Sequence, residues 1–291
     1  MSQSRQVPIL VVMVCAAMWG FWWFPVSLFE AAGLHGPWIG FAMSASALPV
    51  GLIWVLTKSG GMSPRAVLGA SLVGLAVTLY AMAASYTDFI RAVLLFYLAP
   101  AWSTLIEIYF FKRRWTPQAF VAIAFSLIGV LLISRGEISF DGLGAVGDWM
   151  ALGSGVSWSI GIALVFAARS AEVSRVMVTA ALGGVVAALL IALVDGTLAA
   201  PVPYASTVEH PEAFGFAALY VGIILAGTMW GAFRLPPAVM TYLLSIEILG
   251  GVLSSALILG ERFGWHEICG AVFIIGAVLV EVLWQPATRK A

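Results

Sequence analysis

Residues 91–117, RAVLLFYLAPAWSTLIEIYFFKRRWTP, hold an apolar run long enough to cross a bilayer, closed by the basic cluster Lys112, Arg113 and Arg114. Pro100 stands near the middle of that run, between Tyr97 and Trp102. A proline there removes one backbone hydrogen bond and crowds the preceding turn. In lipid an unpaired carbonyl is costly, so protein or a wet cavity must cover the break. Ten such spans fit the chain: 8–29, 37–57, 65–86, 89–111, 117–134, 148–168, 174–194, 212–233, 237–259 and 265–284. With 62% apolar and only 10% charged residues, and a mean hydropathy of +1.03, the expectation is an all-α integral membrane protein. No span alternates as an outer-membrane strand would. The first run is too long for a signal-peptide core and lacks a clean cleavage site, so it reads as a retained span.

Lysine and arginine placement sets the expected orientation. With the N-terminus inside, cytoplasmic segments hold Arg5, Lys58, Arg65, Lys112, Arg113, Arg114, Arg169, Arg175, Arg234, Arg289 and Lys290. External segments hold only Arg91, Arg135 and Arg262, so both termini are expected in the cytoplasm.

The 91–117 stretch has a counterpart at 238–265, AVMTYLLSIEILGGVLSSALILGERFGW. In that register Pro100 falls opposite Ile248, Ala99 opposite Glu247 and Arg114 opposite Arg262. Ala17-Met18-Trp19-Gly20 likewise matches Val156-Ser157-Trp158-Ser159. Five spans per copy is odd, so the copies insert in opposite directions: two inverted five-helix repeats, 1–136 and 137–291, forming one transport domain. The polar 135–147 segment reads as the seam, and 195–211, with Pro201, Pro203 and Pro211, as an external loop.

AAMWG at 16–20, YLAP at 97–100, SIEILGG at 245–251 and LGERF at 259–263 together resemble the drug/metabolite transporter superfamily, specifically its ten-helix EamA-type exporters. The aromatic content makes the chain most similar to the YddG-type exporters of aromatic amino acids. Family members often carry Glu-Pro-Val where this chain has Glu247-Ile248-Leu249, so span nine is not expected to break. The resemblance implies efflux of amino acids or related metabolites without ATP, through a cavity lined by spans one, three, four, six, eight and nine.

The expected cavity residues are Trp19, Tyr80, Tyr97, Pro100, Trp102, Ser157, Trp158, Thr228, Trp230, Tyr242, Ser245 and Glu247. Aromatic walls suit an apolar or cationic ligand, with a few polar groups to orient it. Trp19, Trp22 and Trp23 fall on one face of a continuous helix. Tyr97 and Trp102 point about 140° apart on an ideal helix, so only a rotation at Pro100 brings both to one cavity. Trp38, Trp115, Trp149, Trp265 and Trp284 sit at span ends and read as an interfacial belt. Glu247 is the one acid deep in a span, where a charge by default marks function; it could hold an amino group or a proton. Glu107, a turn from the basic cluster, reads as a structural partner of Lys112 or Arg113, and Glu281 as a span-end residue.

Cys15 and Cys269 read as packing residues, and His35, His210 and His266 are not spaced as ligands, so neither a metal nor a cofactor is expected. No phosphate-binding G-x-x-x-x-G-K-[ST] loop occurs, which excludes an ATP-driven motor and implies no ATP-binding subunit. The basic runs are too short for nucleic acid. No cluster of nucleophile, base or metal ligands points to an enzyme. The expected function is secondary export of aromatic or apolar amino acids across the cytoplasmic (inner) membrane by alternating access. The alternative is a carrier of multidrug or quaternary cations. A nucleotide cargo would want buried cations, and no arginine or lysine lies deep in a span.

Overall fold

The computed structural model describes residues 3–87, 92, 95–133, 146–168, 171–199, 210–259 and 264–283. Among these residues every regular element is helical, without strands. In chain order they are α1 (Gln3–Trp19), α2 (Trp23–Ala31), α3 (Pro37–Ser46), α4 (Leu48–Leu56), α5 (Pro64–Tyr86), α6 (Ala99–Phe110) and α7 (Pro117–Ile133). Then follow α8 (Val146–Ala168), α9 (Val173–Asp195), a 3₁₀ turn Thr197–Ala199, α10 (Pro211–Ala232), α11 (Pro237–Leu244), α12 (Ile246–Leu259) and α13 (Trp265–Leu283). Among the described residues six stretches are long and apolar enough to cross a membrane: Gln6–Ala31, Pro37–Leu56, Pro64–Ala83, Val146–Ala168, Val173–Asp195 and Pro211–Ala232. Pro117–Gly129, Pro237–Gly251 and Ile268–Leu283 are shorter apolar helices. The seam at 135–145, Arg91, Pro201, Pro203, the 261–263 corner and Trp284 lie outside the described residues.

The outward faces are greasy. Leu56, Phe110, Val194 and Leu257 are among the large apolar side chains left exposed, as hydrocarbon rather than water would require. Trp115, Trp149 and Trp265 are exposed too, in keeping with a belt position. Cys15 packs inside as expected, whereas Cys269 faces outward, because its side of α13 is turned away from α7.

Four breaks interrupt the expected spans, and three trace to a proline. Pro25 cannot donate to the Phe21 carbonyl and crowds it; Phe24 N donates there instead at 3.0 Å, and the chain turns through Gly20–Trp22. The break corrects the expectation of one continuous face for Trp19, Trp22 and Trp23. Pro49 acts alike at Ala47, splitting α3 from α4. Pro100 breaks span four at Tyr97–Leu98. Span nine breaks as well, at Ser245, which corrects the expectation that the lack of a proline at 248 would leave it continuous. Here Ser245 N is shared between the Thr241 and Tyr242 carbonyls (3.3 and 3.1 Å), while the Thr241 and Ser245 hydroxyls donate to carbonyls one turn back (2.9 and 3.4 Å). Such back-bonding loosens a helix as a proline does, only less.

Helices approach closely through glycine. Gly69 on α5 and Gly161 on α8 each face the other's backbone, and Gly20 sits against the backbone of Glu247, Gly250 and Gly251 on α12. The core interleaves the two parts of the chain: α5 packs on α8 and α9, α1 on α10, α11 and α12, α6 on α8 and α11, and α7 on α13. One cluster of buried side chains runs from Val12 to Val278.

Candidate functional site

The broken helices converge on a small cavity. Trp19, Ala76, Val77, Tyr80, Phe96, Trp158, Leu244 and Glu247 line it. Its volume is about 30 Å³, room for about two water molecules. The space is therefore too small for an organic solute and must widen to admit one.

Each wall is fixed from behind. Trp19 ends α1, and its Nε1–H donates to Thr228 Oγ1 on α10 at 3.1 Å. Trp22 lies against it, ring centroids 4.6 Å apart. Tyr80 and Phe96 are tilted rings 4.6 Å apart. Trp158 is carried on α8, whose small face meets the Pro100 break. The Phe96 carbonyl left without its amide donor points at Gly155, where a Cβ would come within 3.0 Å of it. One turn on, Ser159 Oγ donates to the Ala99 carbonyl at 3.1 Å. Span six thus supplies the cover that a broken backbone needs in lipid.

Glu247 opens α12, directly after the Ser245 break, and brings the carboxylate to the cavity. Tyr97 is buried beside it, its hydroxyl directed at the Glu247 carboxylate. The Trp158 Nε1–H is buried without a partner. One acidic acceptor, backed by Tyr97, and one uncommitted donor, the Trp158 Nε1–H, therefore face a space otherwise walled by aromatic and aliphatic groups.

Of the twelve residues expected at a cavity, Trp19, Tyr80, Trp158 and Glu247 line it. Tyr97, Pro100, Thr228 and Ser245 stand behind the lining, at the breaks or holding Trp19. Trp102, Ser157, Trp230 and Tyr242 do not line it. Trp102 is part-buried on α6, its indole N–H buried without a partner. Trp230 lies under the Arg234 guanidinium, 4.0 Å from ring centroid to Cζ, at a helix end. Ser157 is half-buried on α8, and Tyr242 belongs to a separate cluster with Ala122, Ala238 and Ala277. Sequence reasoning missed Ala76, Val77, Phe96 and Leu244, which carry no chemistry to flag them. A signal existed for two: Phe96 and Leu244 are 148 residues apart, the offset that pairs Pro100 with Ile248.

Toward the end of the bundle that bears Lys112–Arg114, half-helices α6 and α11 run side by side from the cavity. Ser103 and Thr241 share a hydrogen bond of 2.8 Å, and Glu107 Oε1 accepts from the Ala238 amide at 2.7 Å. Arg113 Nη1 bridges Glu107 and Glu281, 2.8 Å from each. The partner of Glu107 is thus Arg113 rather than Lys112, and Glu281 is no bystander. Toward the other end, Trp23 Nε1 donates to Ser254 Oγ at 3.0 Å.

Residues 6–135 match the EamA-like transporter family. No curated protein matches the sequence. A solved crystal structure superposes with a TM-score of 0.77 over 97% of this chain and 100% of the other, at 18% identity, and so shares the fold. Neither match distinguishes an exporter of aromatic amino acids from other carriers.

Proposed function

From an EamA-like transporter domain over residues 6–135, we propose a secondary carrier that exports amino acids with aromatic or apolar side chains across the cytoplasmic membrane. Ten spans in two inverted halves rock about the central cavity, with both termini in the cytoplasm. The helix pairing supports the halves. Exchanging each span for the one five places along turns the α5–α8 contact into α10–α1, and α6–α8 into the contacts of α1 with α11 and α12. The breaks at Tyr97 and Ser245 also fall 148 residues apart, in the register read from sequence.

One observation carries the cargo reading: the lining sets a single carboxylate, Glu247, against the unpartnered Trp158 Nε1–H, with Tyr97 OH behind it, among aromatic walls. An ammonium pairs with the acid, a carboxylate accepts from the Trp158 Nε1–H, and an apolar side chain stacks on Trp19, Tyr80 and Phe96. A quaternary cation is the second reading, favoured by the absence of lysine and arginine from the lining. Proteoliposome uptake separates them. We expect saturable, mutually competitive uptake of phenylalanine, tryptophan and leucine, reduced at least about tenfold by Glu247→Gln, the scale of one lost charged contact. Transport of no amino acid in either direction, with transport of a cationic dye, would transfer the assignment to the second reading.

A further inference from the structure

A second cavity adjoins the first, and Trp19 and Val77 are walls of both. Its volume is about 10 Å³, and Ser44, Ala47, Gly74, Ala180, Ala181 and Leu225 are among its other walls. It therefore lies among α3, α5, α9 and α10, on the far side of Trp19 from Glu247. The spacing on α5 sets the two spaces in line. Gly74, Val77 and Tyr80 follow one another at three-residue steps along one helix face. Gly74 borders the second cavity, Tyr80 the first, and Val77 both.

The two spaces differ in chemistry. The first offers a carboxylate and the uncommitted Trp158 Nε1–H. Among the side chains of the second, only Trp19 and Ser44 carry polar atoms, and both are spent. Trp19 Nε1–H donates to Thr228, and the Ser44 hydroxyl shares a hydrogen bond of 3.2 Å with Thr78, which itself donates to the Gly184 carbonyl at 3.0 Å. A polar group placed there would give up water and find no partner, whereas a hydrocarbon would gain by leaving water. The walls differ in freedom too. A Cβ at Gly74 would collide with the Ala180 carbonyl, so α5 and α9 are in backbone contact and cannot close further. Trp19 is tied by its hydrogen bond and lies against Trp22. Val77 has no such tie, but a branched side chain on a helix keeps largely to one rotamer. Its two methyl groups therefore set the gap beside Trp19.

We propose that the second cavity is the subsite for the apolar end of the cargo, and that Val77 sets the size of group that reaches it. The cargo then lies in one direction, its polar end at Glu247 and Trp158 and its apolar end toward α3, α9 and α10. A short side chain stays in the first space. A long or aromatic one passes between Trp19 and Val77 when the site widens. Selectivity for bulk is thus decided by the space that Val77 leaves and by the small residues Gly74, Ala180 and Ala181 behind it. The subsite belongs to the proposed carrier, and to that extent rests on that reading.

Two substitutions push the subsite in opposite directions: Val77→Ala widens the neck, and Ala181→Val fills the space behind it. The full chain in proteoliposomes is assayed with two series graded by size. One is alanine, leucine, phenylalanine and tryptophan; the other is tetramethyl-, tetraethyl- and tetrapropylammonium. Ala181→Val should raise KM for tryptophan about tenfold and leave alanine within about twofold, the scale of a misfit of one methylene. Val77→Ala should lower the ratio of tryptophan KM to alanine KM by a similar factor. A folding defect would move every cargo alike and leave that ratio unchanged. Should Ala181→Val not fold, Ala47→Val fills the same space from the end of α3. Equal changes across a series, or a KM independent of size, overturn the subsite. A size split among the ammonium ions with no amino acid carried would fault the amino acid reading and leave the subsite standing. Amino acid uptake without a split would do the reverse, and uptake of neither series would overturn both.

Discussion

Trp19 owes its orientation to a single hydrogen bond. Thr228→Val keeps the shape of the partner and removes the acceptor, leaving a buried indole N–H unpaired. The cost is about 1–3 kcal/mol. It should appear as a lower unfolding temperature and, because a cavity wall is loosened, as a raised KM for transport. An unchanged KM would mean that Trp19 is held by packing alone. At this scale the sequence was partly readable. A lone acid and tryptophans several residues inside a span are conspicuous, and Trp19, Trp158 and Glu247 do meet at the cavity. Trp102 and Tyr242 looked equally good and lie elsewhere, because residue type does not say which way a helix is rotated. Ala76, Val77 and Leu244 show the converse, since their role is only to leave space.

At the scale of the helix, the breaks and the close crossings decide the geometry. Prolines 25, 49 and 100 mark three breaks in the sequence itself, although only the third was expected to interrupt a span. The Ser245 break depends on hydroxyls returning to carbonyls, a choice made only when Thr241 and Ser103 meet. The Gly20 crossing is tighter still. A methyl there would collide with backbone of α12, which cannot swing aside. Gly20→Ala should cost about 1–3 kcal/mol by overpacking and depress transport, whereas Gly61→Ala, with open space around it, should do neither. Thermal unfolding in detergent compares the two; equal stability would show that α1 and α12 separate without penalty.

For the molecule as a whole, alternating access requires the α6–α11 contact to part. Ser103→Cys with Thr241→Cys replaces a 2.8 Å hydrogen bond by a disulfide. Oxidation should abolish transport and reduction restore it; full activity when oxidised would place the moving gate elsewhere. The proposed inverted arrangement makes its own prediction. Cysteines at Lys112 and Arg262, in chains lacking Cys15 and Cys269, should react with an impermeant maleimide from opposite sides of the membrane. Labelling from one side would end the two-way symmetry and with it the rocking mechanism.

The apolar runs, the basic loops and Pro100 fixed the class of the protein before any folding. Lipid leaves a backbone no option but to bond internally, so run length alone dictates helices and membrane. The offset of 148 residues was legible too, in the pairing of Pro100 with Ile248 and Arg114 with Arg262, although the break it places at Ser245 was not expected. Which faces turn inward was not, nor that Arg113 would reach across to Glu281, 168 residues away. Those are outcomes of helices settling against one another at glycine crossings, where a shift of one residue rotates a side chain by about 100°. Local sequence sets the helix, and only the packed neighbours set its rotation.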